Sequence, residues 1–152
     1  MAALDGDMTT VKSLVEQGAP VNFSDNWTAL EKVAEHGDVS MTRYLIAHGA
    51  TVHPHMLIYA GNVAVAKVLM AHGAKVNAKT YGGRNALMSA ASTCAGSNNR
   101  ELIAFLIQHG ADVNARDAEG KTVLGQIKEV VAYGNNYDRQ TIQLLKKAGA
   151  HK

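Results

Sequence analysis

Apolar residues fall along this chain in short stripes of helical spacing, and the stripes restart at intervals. Val11 with Leu14, Met41 with Leu45, Val65 with Leu69, Leu102 with Leu106 and Ile142 with Leu145 each stand three or four positions apart, one face of an α-helix. In all five stripes the leucine precedes a Gly-Ala pair by four residues: Gly18-Ala19, Gly49-Ala50, Gly73-Ala74, Gly110-Ala111 and Gly149-Ala150. A glycine tolerates the positive φ that lets a chain leave a helix without a Cβ clash, so each stripe predicts an amphipathic helix ending at its glycine.

What surrounds the stripes repeats too. After the pair come Val21, Val52, Val76 and Val113, followed by Asn22, Asn77 and Asn114, with His53 in the odd copy; asparagine bonds nearby backbone and predicts a braced, extended turn. Ahead of three stripes a second short helix is announced by Thr28-Ala29-Leu30 with Val33-Ala34, Asn85-Ala86-Leu87 with Ala90-Ala91, and Thr122-Val123-Leu124 with Ile127. Thr and Asn are favoured N-caps. The small residues inside these helices let neighbours approach closely, so thin layers share one core. The glycines stand 31, 24, 37 and 39 residues apart, edited copies of a unit of about 33 residues, a period typical of solenoids.

Gly73-Ala74-Lys75-Val76-Asn77-Ala78 and Gly110-Ala111-Asp112-Val113-Asn114-Ala115, together with the leucine and glycine register, resemble the ankyrin-repeat family over residues 2–150. The resemblance implies an all-α solenoid of stacked helix-turn-helix units with short hairpin fingers. It makes 1–152 a single domain, with units near 1–22, 23–53, 54–77, 78–114 and 115–152. The family's Thr-Pro-Leu-His signature survives only as Thr28-Ala29-Leu30-Glu31, Asn85-Ala86-Leu87-Met88 and Thr122-Val123-Leu124-Gly125. Without the bonds that its His supplies between turns, the fingers are expected to be soft and to exchange hydrogen faster than the leucine-lined helices.

Three copies depart further. The third runs from His53-Pro54-His55-Met56-Leu57 almost directly into Ala60-Gly61-Asn62 and has lost its finger, whereas the fourth and fifth gain polar segments at Ser92–Asn99 and Val131–Asp138 that read as loops, or as a longer first helix plus loop. The first begins at Ala2-Ala3-Leu4-Asp5-Gly6-Asp7, in the middle of a first helix, so upstream residues or an atypical cap are expected.

Composition agrees with stacked helices and narrows the function. With 47% apolar and only 5% aromatic residues, the core must come from small and aliphatic side chains at close approach. The 15 basic and 13 acidic residues are scattered, with Lys146, Lys147 and Lys152 the densest basic spot; no nucleic-acid footprint is predicted. No apolar run approaches a membrane span. The lone Cys94 excludes an internal disulfide framework, and Met1–Asp7 has neither basic n-region nor apolar h-region. As it stands the chain reads as cytoplasmic; a removed leader would make it periplasmic or secreted.

The resemblance implies a partner protein held on a concave face of fingertips and first helices. The candidate fingers are Ser24–Trp27, Lys79–Arg84 and Arg116–Lys121, and the candidate binding residues are Trp27, Glu31, His55, Met56, Tyr81, Arg84, Met88, Asp117 and Lys121. Trp, Tyr and Arg are the usual anchors of interfaces. Two roles fit Trp27: gripping a partner, or folding back over the thin first copy. Likewise the lost finger leaves a notch beside His53, His55 and Met56 for a partner's loop, unless neighbouring loops fill it. Some compact bacterial ankyrin proteins of similar scale plug enzyme clefts, which extends the expectation to an inhibitor or immunity protein, monomeric when unbound. A passive scaffold, or a segment of a longer array, is the alternative.

Enzymatic signals are weak by comparison. Of the 7 histidines, His48, His72 and His109 each precede a helix-ending glycine and are copies of one position near a helix C-terminus. His53-Pro54-His55 is the one chelating pair, and it lacks a third ligand at supporting spacing. Cys94 has no motif supplying a base, and Tyr81-Gly82-Gly83-Arg84 lacks the Lys-Ser/Thr pair of a phosphate loop. No metal, cofactor or catalytic residue is expected.

Overall fold

The computed structural model describes residues 8–23, 27–92, 97–132 and 139–151. Within them lie eight α-helices and one 3-10 turn, with no strand: α1 (Met8–Glu16), α2 (Ala29–His36), α3 (Val39–Ala47), the 3-10 turn (Met56–Tyr59), α4 (Val63–Ala71), α5 (Ala86–Ser92), α6 (Ser97–Gln108), α7 (Val123–Ala132) and α8 (Arg139–Lys147). An inner row of α2, the 3-10 turn, α5 and α7 packs in succession, and so does an outer row of α3, α4, α6 and α8. The two rows enclose a continuous hydrophobic core. This is a helical solenoid.

The repeated Leu-x-x-x-Gly-Ala word does two jobs in the outer row. Its glycine takes φ between 84° and 102° in all five copies, and the alanine N–H then donates back to the leucine carbonyl at 2.9–3.0 Å, closing the helix end with its otherwise orphaned acceptor satisfied. The leucine side chain meanwhile enters the core: Leu45, Leu69, Leu106 and Leu145 are at most 1% exposed. Leu14 departs from the expectation at 44% exposed. Residues 1–7, the first-helix position of that copy, lie outside the described ones, and no described helix covers this face of α1.

The histidine that precedes three of these glycines is a cap as well. Nδ1 of His48, His72 and His109 lies 2.8 Å from the carbonyl four residues earlier, on Tyr44, Val68 and Phe105, and His36 reaches the Lys32 carbonyl at 2.7 Å. A carbonyl only accepts, so Nδ1 carries the proton and donates it. The periodicity of these histidines thus has a backbone cause, and it is a hydrogen bond rather than the dipole attraction alone.

Successive units are tied by the asparagines, which reach farther than a local turn brace. Asn22 Nδ2 donates to the Gly49 carbonyl at 2.9 Å while its Oδ1 accepts the Thr51 N–H at 2.8 Å. Asn77 treats Gly110 and Asp112 in the same way, and Asn114 treats Gly149 and His151. Where His53 replaces asparagine, the Pro54 carbonyl takes the equivalent N–H, that of Lys75, at 2.7 Å.

The third copy is reduced beyond the loss of its finger, since a single 3-10 turn stands where the second, fourth and fifth copies have a first helix. Gly61 lets this unit close up on α2: its N–H donates to the Ala34 carbonyl at 2.9 Å, and a Cβ there would lie 2.3 Å from the Glu35 carbonyl oxygen. Asn62 then caps α4 through the Val65 N–H and donates to the Gly37 carbonyl. Of the predicted loops, 93–96 and 133–138 lie outside the described residues, Cys94 among them; Ser97–Asn99 belong to α6 and Val131–Ala132 to α7.

Candidate functional site

The fingers expose two large aromatic side chains, Trp27 and Tyr81. In the finger Lys79–Arg84, a tight turn closes through the Gly83 N–H to the Thr80 carbonyl and through the Thr80 N–H to the Arg84 carbonyl, both 2.9 Å. Tyr81, at its tip, is wholly exposed. Arg84 bonds the Ser92 hydroxyl, which fixes it over the end of α5. Gly83 has φ 72°, and a Cβ on it would come within 2.7 Å of Ala118 N; only glycine allows this finger to lie so closely on the next.

The finger Arg116–Lys121 is organised by Asp117. One carboxylate oxygen accepts the N–H groups of Glu119 and Lys121, at 3.0 and 2.9 Å, and the other accepts the Gln126 amide at 2.7 Å. Burial works against the charge, yet the Lys121 N–H, the Gln126 amide, the Glu119 N–H and the Lys121 ammonium together hold the carboxyl below its ordinary range. Lys121 bridges Glu119 and Glu129 at 2.9 and 3.0 Å, and those carboxylates push its pKa up. Asp117 and Lys121 thus have their charges engaged inside their own unit.

The first finger is described only from Trp27, residues 24–26 lying outside. Trp27 is 46% exposed and sets its ring edge-on to Tyr59, with centroids 5.3 Å apart. Lys32 Nζ sits 4.1 Å over the indole, a cation–π contact, and is itself paired with Glu35 at 3.0 Å. Among the described residues the ring's contacts run forward, to Tyr59 of the third copy and to Lys32 of its own. Glu31 is the return half of a capping box, accepting the Thr28 N–H at 2.7 Å while Thr28 Oγ1 accepts its own N–H. Burial first, then the neighbouring Glu31 carboxylate and the Glu35 charge, raise the pKa of Tyr59.

Between these fingers, the unit without one leaves a cleft of about 470 Å³ lined by His55, Tyr59, Lys79, Thr80, Tyr81 and Gly82. The structure therefore brings His55 and Tyr81 together, with Trp27 against the same Tyr59 floor, and sets Arg84, Asp117 and Lys121 along the later fingers. Two candidates need correction. Met56 and Met88 are each 1% exposed and belong to the core cluster, because the 3-10 turn contacts α2, α4 and α5, and α5 contacts α6 and α7 besides. Neither reaches a groove. Tyr59 was missed, since a lone aromatic in a unit with no helical stripe gives no periodic signal. The His53 and His55 rings stack parallel at 5.8 Å, and no group of three or more metal-ligating side chains occurs among the described residues.

A family model described as ankyrin repeats (3 copies) matches residues 1–79 and 53–117. The chain belongs to the ankyrin-repeat family. Ankyrin repeats are generally protein–protein interaction modules and typically non-enzymatic. No curated protein sequence matches the chain. No helix among the described residues is long and apolar enough to cross a membrane.

Proposed function

We propose that this ankyrin-repeat chain binds one folded protein through its finger row, acting by occupation of the partner's surface and without chemistry of its own, and that it does so as a monomer. The observation that carries the reading is the pair of aromatic side chains, Trp27 at 46% exposure and Tyr81 fully exposed, held on either side of the fingerless unit. Trp27 is braced by Tyr59 and Lys32 and Tyr81 stands on a hydrogen-bonded turn, and such residues dominate interface energies. Four of the histidines are committed to capping carbonyls, which supports binding over catalysis.

Arg84, Glu31, Asp117 and Lys121 form the polar rim of this face, His55 its floor. A stable complex would bury about 1,200–2,000 Å² in total. A partner with a recessed active site would be inhibited by this contact, the finger row closing its entrance. The test is capture of the partner from source lysate by wild type, followed by affinity measurement with Trp27→Ala and Tyr81→Ala and by assay of the partner's own activity. Each substitution is expected to weaken binding by about 2 kcal/mol or more, roughly thirtyfold, and added protein to lower the partner's activity. Unchanged affinity for both variants, with native circular dichroism, would remove the assignment; undiminished partner activity would leave a tether in place of an inhibitor.

A further inference from the structure

The fingerless unit leaves one edge of the finger row open, and the repeat itself indicates what belongs there. In the last two fingers the Ala118 N–H donates to the Gly82 carbonyl at 3.0 Å, so the last finger is tied to the one before it through backbone. Ala118 and Tyr81 are equivalent positions, each standing four residues after its unit's asparagine, Asn114 and Asn77. Tyr81 therefore carries the N–H that would reach back to a finger of unit 54–77. That unit supplies none, and the Tyr81 N–H has no hydrogen-bond partner among the described residues.

The surroundings of this free donor define its acceptor. The cleft lining of His55, Tyr59, Lys79, Thr80, Tyr81 and Gly82 includes no carboxylate. Among the described residues Lys79 Nζ bonds the Arg116 carbonyl alone, leaving ammonium hydrogens available. On the Trp27 side, Glu31 is held by the Thr28 N–H and Glu35 by Lys32. The opening is rich in donors and rimmed by aromatic rings. At its edge Gly82 has open space, a Cβ there meeting only Thr80 Oγ1 at 3.9 Å, so another backbone can come close.

Resting on the reading of this face as a protein-binding one, we propose that the notch receives a single protruding loop of the partner, standing where the missing finger would be. A backbone carbonyl of that loop accepts the Tyr81 N–H, as Gly82 accepts from Ala118, and an aspartate or glutamate at its tip faces Lys79 and His55. This is strand-edge addition on the scale of one turn, with charge selecting the loop.

The probes are disulfide-closed hairpin peptides whose turns carry Asp, or Lys at the same place, titrated into the full ¹⁵N-labelled chain. The Asp hairpin is expected to shift the amides of Tyr81, Gly82 and His55, to slow exchange of the Tyr81 amide about tenfold or more at saturation, and to weaken as salt rises. Tyr81 is the second residue of the Thr80–Gly83 turn, where proline is favoured, so Tyr81→Pro deletes the donor within a compatible turn, while Tyr81→Ala deletes only the ring. Binding about fivefold or more weaker for Tyr81→Pro than for Tyr81→Ala supports the inference. Equal affinities of the two variants, equal binding of the Lys hairpin, shifts confined to other faces, an unresponsive Tyr81 amide in the wild-type chain, or the same shifts from free succinate would each overturn it. An unresponsive Tyr81 amide beside Trp27-dependent partner capture would sink this inference alone; a responsive notch in a protein whose captured partner ignores both aromatic substitutions would sink the broader reading instead.

Discussion

Replacing Gly61 by alanine adds one carbon at the place where the third unit closes on the second, and the geometry leaves that carbon nowhere to go. Its Cβ would stand 2.3 Å from the Glu35 carbonyl oxygen, 2.9 Å from Gly37 N and 3.0 Å from the Ala34 carbonyl oxygen. All three are backbone atoms of the end of α2, so no side chain can swing aside. Relief requires the units to separate by about 1 Å, which stretches the Gly61 N–H bond to Ala34 and the Asn62 amide bond to Gly37, now 2.9 and 2.8 Å. Overpacking of this kind costs about 1–3 kcal/mol, and weakening two hydrogen bonds adds about 1 kcal/mol. A total near 3 kcal/mol lowers Tm by roughly 6–12 °C in a chain of this size. The control is Gly82→Ala, whose Cβ meets only Thr80 Oγ1 at 3.9 Å and which is expected to leave Tm unchanged. Thermal and urea unfolding followed by circular dichroism measure both. A Gly61→Ala protein melting within about 2 °C of wild type would refute the claim that backbone contact, and not side-chain packing, sets this junction.

The same logic yields three further expectations. Asn77→Ala removes both bonds to the next unit's turn and should cost about 1–2 kcal/mol, with faster amide exchange at Asp112; His53→Asn should gain nothing, because Lys75 N–H is already taken by Pro54. Leu69→Ala, from a fully buried site, should lose about 2–5 kcal/mol in urea unfolding, whereas Leu14→Ala, 44% exposed, should lose about 0.5 or less. Asp117 has its carboxyl pKa lowered in the folded chain, so the stability it contributes is present above its unfolded value of about 3.9 and is lost as pH falls through the folded pKa. Wild type should therefore lose more urea stability than Asp117→Asn between about pH 5 and pH 3; parallel losses would show that the finger's bonds to Asp117 carry no weight.

The outer row was legible because one short word encodes both packing and chain reversal. Leu-x-x-x-Gly-Ala names the core side chain, the left-handed residue and the returning N–H together, so reading its spacing was nearly equivalent to reading the helix ends. Histidines 48, 72 and 109 were legible as a periodic position, although their partner, a carbonyl four residues back, has no letter of its own. The inner row was less legible. Met56 and Met88 occupy places that face outward in a free helix, and only the neighbours on several sides of the 3-10 turn and α5 make them core. Asn22, Asn77 and Asn114 hid their reach for a similar reason: an asparagine looks the same whether it braces its own turn or one some 27–37 residues away. Tyr59 escaped notice because the unit that holds it has no repeat pattern to be measured against.

The two ways in which units are joined explain how the array can lose a finger and keep its stack. Along the turns, every junction needs an acceptor for one N–H: Asn22, Asn77 and Asn114 supply it from side chains, and where His53 fails to, the Pro54 carbonyl does so from the backbone. That row is continuous. Along the fingers no such substitution is possible, since the acceptor for Tyr81 N–H would have to sit on residues the third unit does not contain. Deletion there costs the fold one exposed hydrogen bond, worth about 1 kcal/mol, and transfers its whole consequence to the binding face. Trp27 and Tyr81 are consequently spaced by the turn row and the core beneath them, and in the binding mode proposed above a partner would meet two rings flanking an unfilled donor.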